Sequence, residues 1–147
     1  PKVKAMVSFT KGEGFGRPLL EFATTGKPII ASGWSGHTDF LKTDYNVLLP
    51  GRLENVHPSA ANDWLVKEAQ WFQVDDKTAK SSLKQVYKHY KDYLNRSKKQ
   101  KQYIKENFSW DKMKKLVNKN LESNVPDLPV QVPLNLSNIG LPKLNKI

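Results

Sequence analysis

The sequence predicts an α/β fold, a parallel sheet flanked by crossover helices, and three observations carry that prediction. Short apolar runs stand at residues 3–9, 28–32 and 46–50, each bounded by Gly, Pro or Asn, as buried strands are. Helix-sized segments separate them, and a parallel pair needs such a crossover. The first run also enters a glycine loop, KGEGFG at residues 11–16, directly before a helix start.

Residues 18–25 read as the first helix, with Pro18 in the first turn, where its missing N–H costs nothing, and Gly26 as the stop. The second strand, PIIAS, leads into the loop GWSG at 33–36 and a short helix near 37–42. Residues 51–62 are polar and turn-rich and read as a surface excursion. Residues 63–72, with Trp64, Leu65, Ala69 and Trp71, read as a short helix plus an extended piece. Asp75 and Asp76 cap a long helix whose core positions are expected at Leu83, Tyr87, Tyr90 and Leu94. A further helix at 97–106 precedes Phe108-Ser109-Trp110, where Ser109 is the N-cap of a last helix bearing Met113, Leu116, Val117 and Leu121. The expected organisation is a domain over residues 1–123, with its core at 3–50 and a helical region at 63–123, then a Pro-rich extended tail at 124–147.

A chain of 147 residues with 38% apolar residues and four Trp can fill one real core. It has no Cys, which excludes a disulfide framework and a cysteine-based zinc site and fits a reducing compartment. No apolar run is long enough to span a bilayer, and the N-terminus lacks the apolar stretch of a signal peptide. The expected location is therefore cytoplasmic, with a peripheral position at a membrane as its variant. The start, without Met and already near an apolar run, reads as the interior of a larger protein. The net charge of +10 is concentrated: residues 77–119 hold 14 Lys and Arg against three acids, while the remainder sums to −1. Such a surplus suits a solvated lysine face, an anionic membrane surface or nucleic acid. Nucleic acid is disfavoured because the tyrosines among these lysines are expected on the buried face of the helix.

Glycines at 12, 14 and 16 let the backbone turn and approach a ligand, and the helix that follows should aim free N–H groups at the same corner. The dinucleotide fingerprint fails because these glycines lie one residue apart, and the P-loop fails because Arg17-Pro18 stands where Lys-Ser/Thr is needed. A protein-kinase reading fails for want of H-R-D and D-F-G. What the segment does resemble, once Glu13 and Glu21 are read together with Gly26-Lys27-Pro28-Ile29-Ile30, Ser35-Gly36-His37-Thr38-Asp39, Asn46-Val47-Leu48-Leu49 and Phe108-Ser109-Trp110, is the nucleotide-sugar half of retaining glycosyltransferases of the GT-B fold, family 4 type.

That resemblance implies half of a Rossmann-like α/β/α sandwich and transfer of a sugar from a nucleoside diphosphate sugar to a hydroxyl acceptor with retained configuration. It implies a catalytic role at the donor sugar for Glu13, and donor contacts from Gly12, Gly14, Phe15, Gly16, Arg17, Ser35, Gly36 and His37. Glu21 would hold both ribose hydroxyls, since a carboxylate is an acceptor-only group that makes strong charge-assisted bonds. No metal and no cofactor beyond the donor substrate is implied. The acceptor would bind a preceding domain, so these residues alone are expected to be inactive. Three departures stand out: Asp39 for the usual Glu, Ser35-Gly36 for Gly-Gly, and Arg17 for an apolar residue. His57 and His89 read as surface residues. A non-catalytic interaction module of the same fold and a basic nucleic-acid-binding domain are the rival functions.

Overall fold

A computed structural model describes residues 3–126 and shows an α/β chain. Strands β1 (Met6–Ser8), β2 (Ile29–Ser32) and β3 (Val47–Leu49) form a parallel sheet in that order, with Met6 opposite Ile29 and Ile30 opposite Val47. Helix α1 (Arg17–Ala23) is the first crossover, and a single 3-10 turn (Gly36–Asp39) lies in the second. Every residue of the central strand is buried, and its side chains alternate between two cores. Ile29 and Ala31 pack with Leu19, Ala23, Phe40, Leu41 and Ile104. Ile30 packs with Leu49, Phe72, Val74, Ala79 and Val86. This period-two alternation puts α1 and the later helix that carries Ile104 on one face, and a two-stranded ribbon with the helix that carries Ala79 and Val86 on the other.

That ribbon corrects two expectations. Residues 51–62 do not run as an irregular excursion, and residues 63–72 hold no helix. Instead β4 (Gly51–Asn55) pairs antiparallel with β5 (Gln70–Val74), with Leu53 opposite Phe72. Phe72 and Val74 alternate inward along β5, the extended piece expected at the end of this segment, and supply its core contacts. Trp64, placed in that helix, is 96% exposed in the loop joining the strands.

Helix α2 (Asp76–Lys88) opens as expected on Asp75, whose Oδ1 accepts the Thr78 amide at 2.7 Å. Bonding to the Thr78 side chain and backbone amide, with Lys77 and Arg52 nearby, holds this carboxyl below the ordinary carboxylate range. Its core face, however, is Ala79 and Val86, while Tyr87 is 86% exposed. The chain breaks at His89, with φ −110° and ψ 34°, before α3 (Tyr90–Asn107), so the phase of the apolar pattern is reset there. The expected burial of the interleaved tyrosines therefore fails at Tyr87.

Helix α3 runs continuously through the segment read as a separate helix at 97–106, and it buries Ser97, Gln100 and Ile104. Gln100 is 1% exposed and works as a clamp. Its Oε1 accepts from the Lys42 amide at 3.1 Å and from Asn46 Nδ2 at 2.7 Å, and its Nε2 donates to the Phe40 carbonyl at 2.7 Å. Phe108 then packs edge-on against Phe40 at 5.9 Å and turns the chain into α4 (Trp110–Asn124), which Ser109 caps through the Lys112 amide. Helix α4 buries none of its residues, and Leu116, Val117 and Leu121 stay 50–54% exposed. Among the described residues no helix is long and apolar enough to cross a membrane. The expected Pro-rich tail, from residue 127 on, lies outside the described residues.

Candidate functional site

The glycine loop and the loop after β2 meet at the carboxyl ends of the parallel strands, the corner where open α/β sheets hold ligands. They are stitched together by polar contacts. The Glu13 amide donates to Ser35 Oγ at 2.8 Å, the Ser35 hydroxyl donates to the Glu13 carbonyl at 2.5 Å, and the Gly36 amide donates to the same carbonyl at 3.0 Å. The fit demands glycine at Gly36, because a Cβ there would lie 1.8 Å from the Gly14 carbonyl oxygen. Gly16 is also required: its φ is +84°, and a Cβ would meet His37 Cβ at 2.8 Å.

Ser35 holds φ 83° and ψ −173°, a conformation nearly confined to glycine. The paired bonds to Glu13 are what hold it there.

Helix α1 opens on Gly16, whose carbonyl accepts from the amides of Leu19 at 2.9 Å and Leu20 at 3.1 Å. With Pro18 lacking a donor, the free amides come from the loop, the N-cap Gly16 and the first helical residue, Arg17. Among the described residues the amides of Gly14, Phe15, Gly16 and Arg17 reach no acceptor, and Gly14 and Phe15 are exposed. Consecutive unpaired N–H groups in a turn form a cradle for anionic or hydroxyl oxygens. Phe15 secures the loop by resting its ring against Phe40 at 5.3 Å.

Glu13 is half-buried at the base of this cradle, and its carboxylate makes no hydrogen bond among the described residues. Glu21 lies farther along α1, exposed, with Oε1 taking a 2.6 Å bond from Arg17 Nε. That bond and the carboxylate charge raise the Arg17 guanidinium above its ordinary value. The pair is an i,i+4 contact open to water, so it is exchangeable. Gly12 borders the loop, its carbonyl taking the Thr10 hydroxyl at 2.9 Å.

His37, expected among the donor contacts, stands at the start of the 3-10 turn beside the site but is fully buried next to Gly16, and its Nε2–H donates to the Ser32 carbonyl at 2.6 Å. The ring underlies the glycine loop, and its bare Nδ1 and the Ser32 hydroxyl have no partner among the described residues.

Two further elements enclose the corner and were missed from sequence. The Phe72 amide of β5 donates to the Lys11 carbonyl at 2.9 Å, Lys11 Nζ lies 4.3 Å from the Trp71 ring centroid and bonds Gln73, and Trp34 stacks on Phe72. The cue was present in the run QWFQV, whose alternate residues suit a strand.

Comparisons of the chain with protein-family models, with curated proteins and with solved structures return no match.

A cleft of about 550 Å3 lies away from this corner, lined by Gly51, Arg52, Glu54 and the start of α2. Two of its charged groups are already paired, Arg52 with Glu54 at 2.7 Å and Asp75 with Thr78. At the glycine corner, by contrast, the amides of Gly14 to Arg17 and the Glu13 carboxylate have no partner among the described residues. Among those residues no group of three or more His, Asp or Glu is placed to hold a metal.

Proposed function

We propose that these residues are the donor-binding part of a retaining glycosyltransferase of the GT-B type, with the three-stranded sheet as part of its Rossmann-like nucleotide-sugar half. The observation that carries the reading is the run of four unpartnered amides, Gly14 to Arg17, between Glu13 and Glu21. A nucleoside diphosphate sugar offers the matching groups in order: sugar hydroxyls, an anionic diphosphate and a ribose diol. Ser35 adds support, since it keeps a glycine-type backbone where the family it resembles has glycine.

In this reading Glu13 accepts hydroxyls of the donor sugar at the reacting end. The loop amides take the sugar and diphosphate oxygens and stabilise the charge that grows on the leaving group. Glu21 accepts both ribose hydroxyls, either beside its Arg17 bond or in exchange for it. Arg17, freed, adds positive charge at the diphosphate. The acceptor belongs to another domain, and the described residues bind without turning over.

The test is ligand-observed saturation-transfer NMR of the chain against UDP-, GDP- and ADP-sugars at low salt. One nucleotide class gives a signal, and Glu21→Ala weakens it about tenfold or more, as loss of a charge-assisted bidentate contact requires. A signal unchanged in Glu21→Ala would remove the ribose assignment. Silence from every donor would favour the interaction-module reading.

The basic helices favour a second partner. With 14 basic residues over 77–119 and the apolar side chains of α4 in solvent, this region would hold the protein against an anionic membrane surface. Retention on phosphatidylglycerol vesicles, lost in high salt and absent on phosphatidylcholine, is the expected result. Equal retention on single-stranded DNA would point to nucleic acid instead, a rival made stronger by the exposure of Tyr87.

A further inference from the structure

Trp34 stands in the loop between β2 and the 3-10 turn, one residue before the serine that locks Glu13. It packs against Phe72 with ring centroids 5.8 Å apart and planes 7° from parallel, yet it remains 43% exposed. One face of the indole is therefore backed by the ribbon, and the side chain as a whole keeps wide access to solvent. The backing does not drift, because the Phe72 amide is tied to the Lys11 carbonyl at 2.9 Å. The backbone beside the indole is equally fixed. Ser35 at φ 83° persists only because two hydrogen bonds to Glu13 impose it, and strain of this kind collects where a side chain must be aimed.

An exposed indole backed by a second ring, one residue from the serine that bonds the backbone of Glu13, has a specific chemical match. The face of an aromatic ring is negative, and the C–H groups on one side of a pyranose carry small positive charge. Hydroxyls at the rim of the same sugar are donors for an acceptor-only carboxylate. A free nucleobase also stacks on indole, but it brings no ring of hydroxyls to Glu13.

We propose that Trp34, backed by Phe72, is the stacking platform of a pyranose subsite beside Glu13, and so sets which sugar the site accepts. The inference deepens the donor-site reading and rests on it only for the nucleotide.

The test uses the chain labelled with 5-fluorotryptophan, whose four Trp residues give separate fluorine resonances, with Trp34 assigned by Trp34→Phe. The probes are methyl glycosides of glucose, galactose, mannose and N-acetylglucosamine, the mononucleotides UMP, GMP and AMP, and the matching nucleotide sugars. The Trp34 line should shift with at least one glycoside or nucleotide sugar and stay still with every mononucleotide. Trp34→Phe keeps a ring against Phe72 and should weaken the sugar response, read by saturation transfer, about threefold or more. Three results would overturn the platform. A nucleotide sugar that binds with Trp34 unmoved leaves the donor site standing without it. A shift produced equally by mononucleotides makes Trp34 a base-stacking residue. No shift with any probe removes the subsite altogether, whereas a shift with glycosides alone keeps it even if no nucleotide binds.

Discussion

Gly36→Ala destabilises the protein by about 3 kcal/mol and removes donor binding, the largest combined effect of a single methyl expected at this site. The new Cβ would sit 1.8 Å from the Gly14 carbonyl oxygen and 3.1 Å from that of Glu13, and both are backbone atoms that cannot rotate aside. The two loops must part by more than an ångström. Parting them breaks the Gly36–Glu13 bond and the Ser35–Glu13 pair, and with them goes the constraint that holds the free amides and the carboxylate in one corner. Gly12→Ala is the matched control for stability, because nothing lies within 4 Å of its added methyl. Thermal unfolding of the two variants should differ sharply, and Gly36→Ala should give no response on donor titration. Equal behaviour would mean that the loops are not in contact.

Gln100→Ala is expected to cost about 3 kcal/mol or more in stability, equivalent to roughly 10 °C in Tm. A single amide satisfies the Lys42 N–H, the Phe40 carbonyl and one hydrogen of Asn46, and the site is too deeply buried for bulk water to replace it. Each group left unpaired carries its own desolvation cost, and the lost side chain leaves a void as well. Gln100→Glu keeps the two acceptor contacts but, when ionised, buries a charge against the Phe40 carbonyl and can donate to it only as the protonated acid, so its stability should rise as the pH falls. Were Gln100→Ala as stable as the wild type, α3 would not be clamped to the segment between the 3-10 turn and β3.

These two residues mark the range of what the sequence made legible. The parallel sheet was readable because its strands are short, apolar and spaced by crossovers, and Gly36 could be singled out because it sits in a glycine-bearing loop after such a strand. Gln100 could not, since nothing in a lysine-rich helix distinguishes the one amide that turns inward. The ribbon was missed for a related reason. GRLEN on β4 is largely polar because most of it faces solvent, and its partner lies beyond a long loop, so the pairing that makes it a strand is nonlocal. Spacing alone then suggested a helix through Trp64, Leu65 and Ala69.

Helix phase was the third failure. Leu83, Tyr87, Tyr90 and Leu94 form a convincing stripe only if the helix is continuous, whereas α2 buries Ala79 and Val86 and ends at His89, after which α3 presents a face of its own. At the candidate site, Glu13, Glu21 and the glycines could be singled out because backbone freedom and carboxylate spacing are written in residue type. The burial of His37 and the wall formed by Trp34 and β5 depend on tertiary contacts that no spacing encodes.

The central claim, that a nucleotide sugar is held by the glycine corner, is tested most directly by amide chemical-shift mapping of the glycines, of which the chain has eight, in a region of the nitrogen–proton spectrum that few other residues share. On addition of the donor that gives a saturation-transfer signal, Gly14, Gly16 and Gly36 should shift together while Gly26 and Gly51 stay in place. Movement of Gly51 with the loop glycines still would place the ligand in the cleft between the ribbon and α2, and the donor-site account would be wrong.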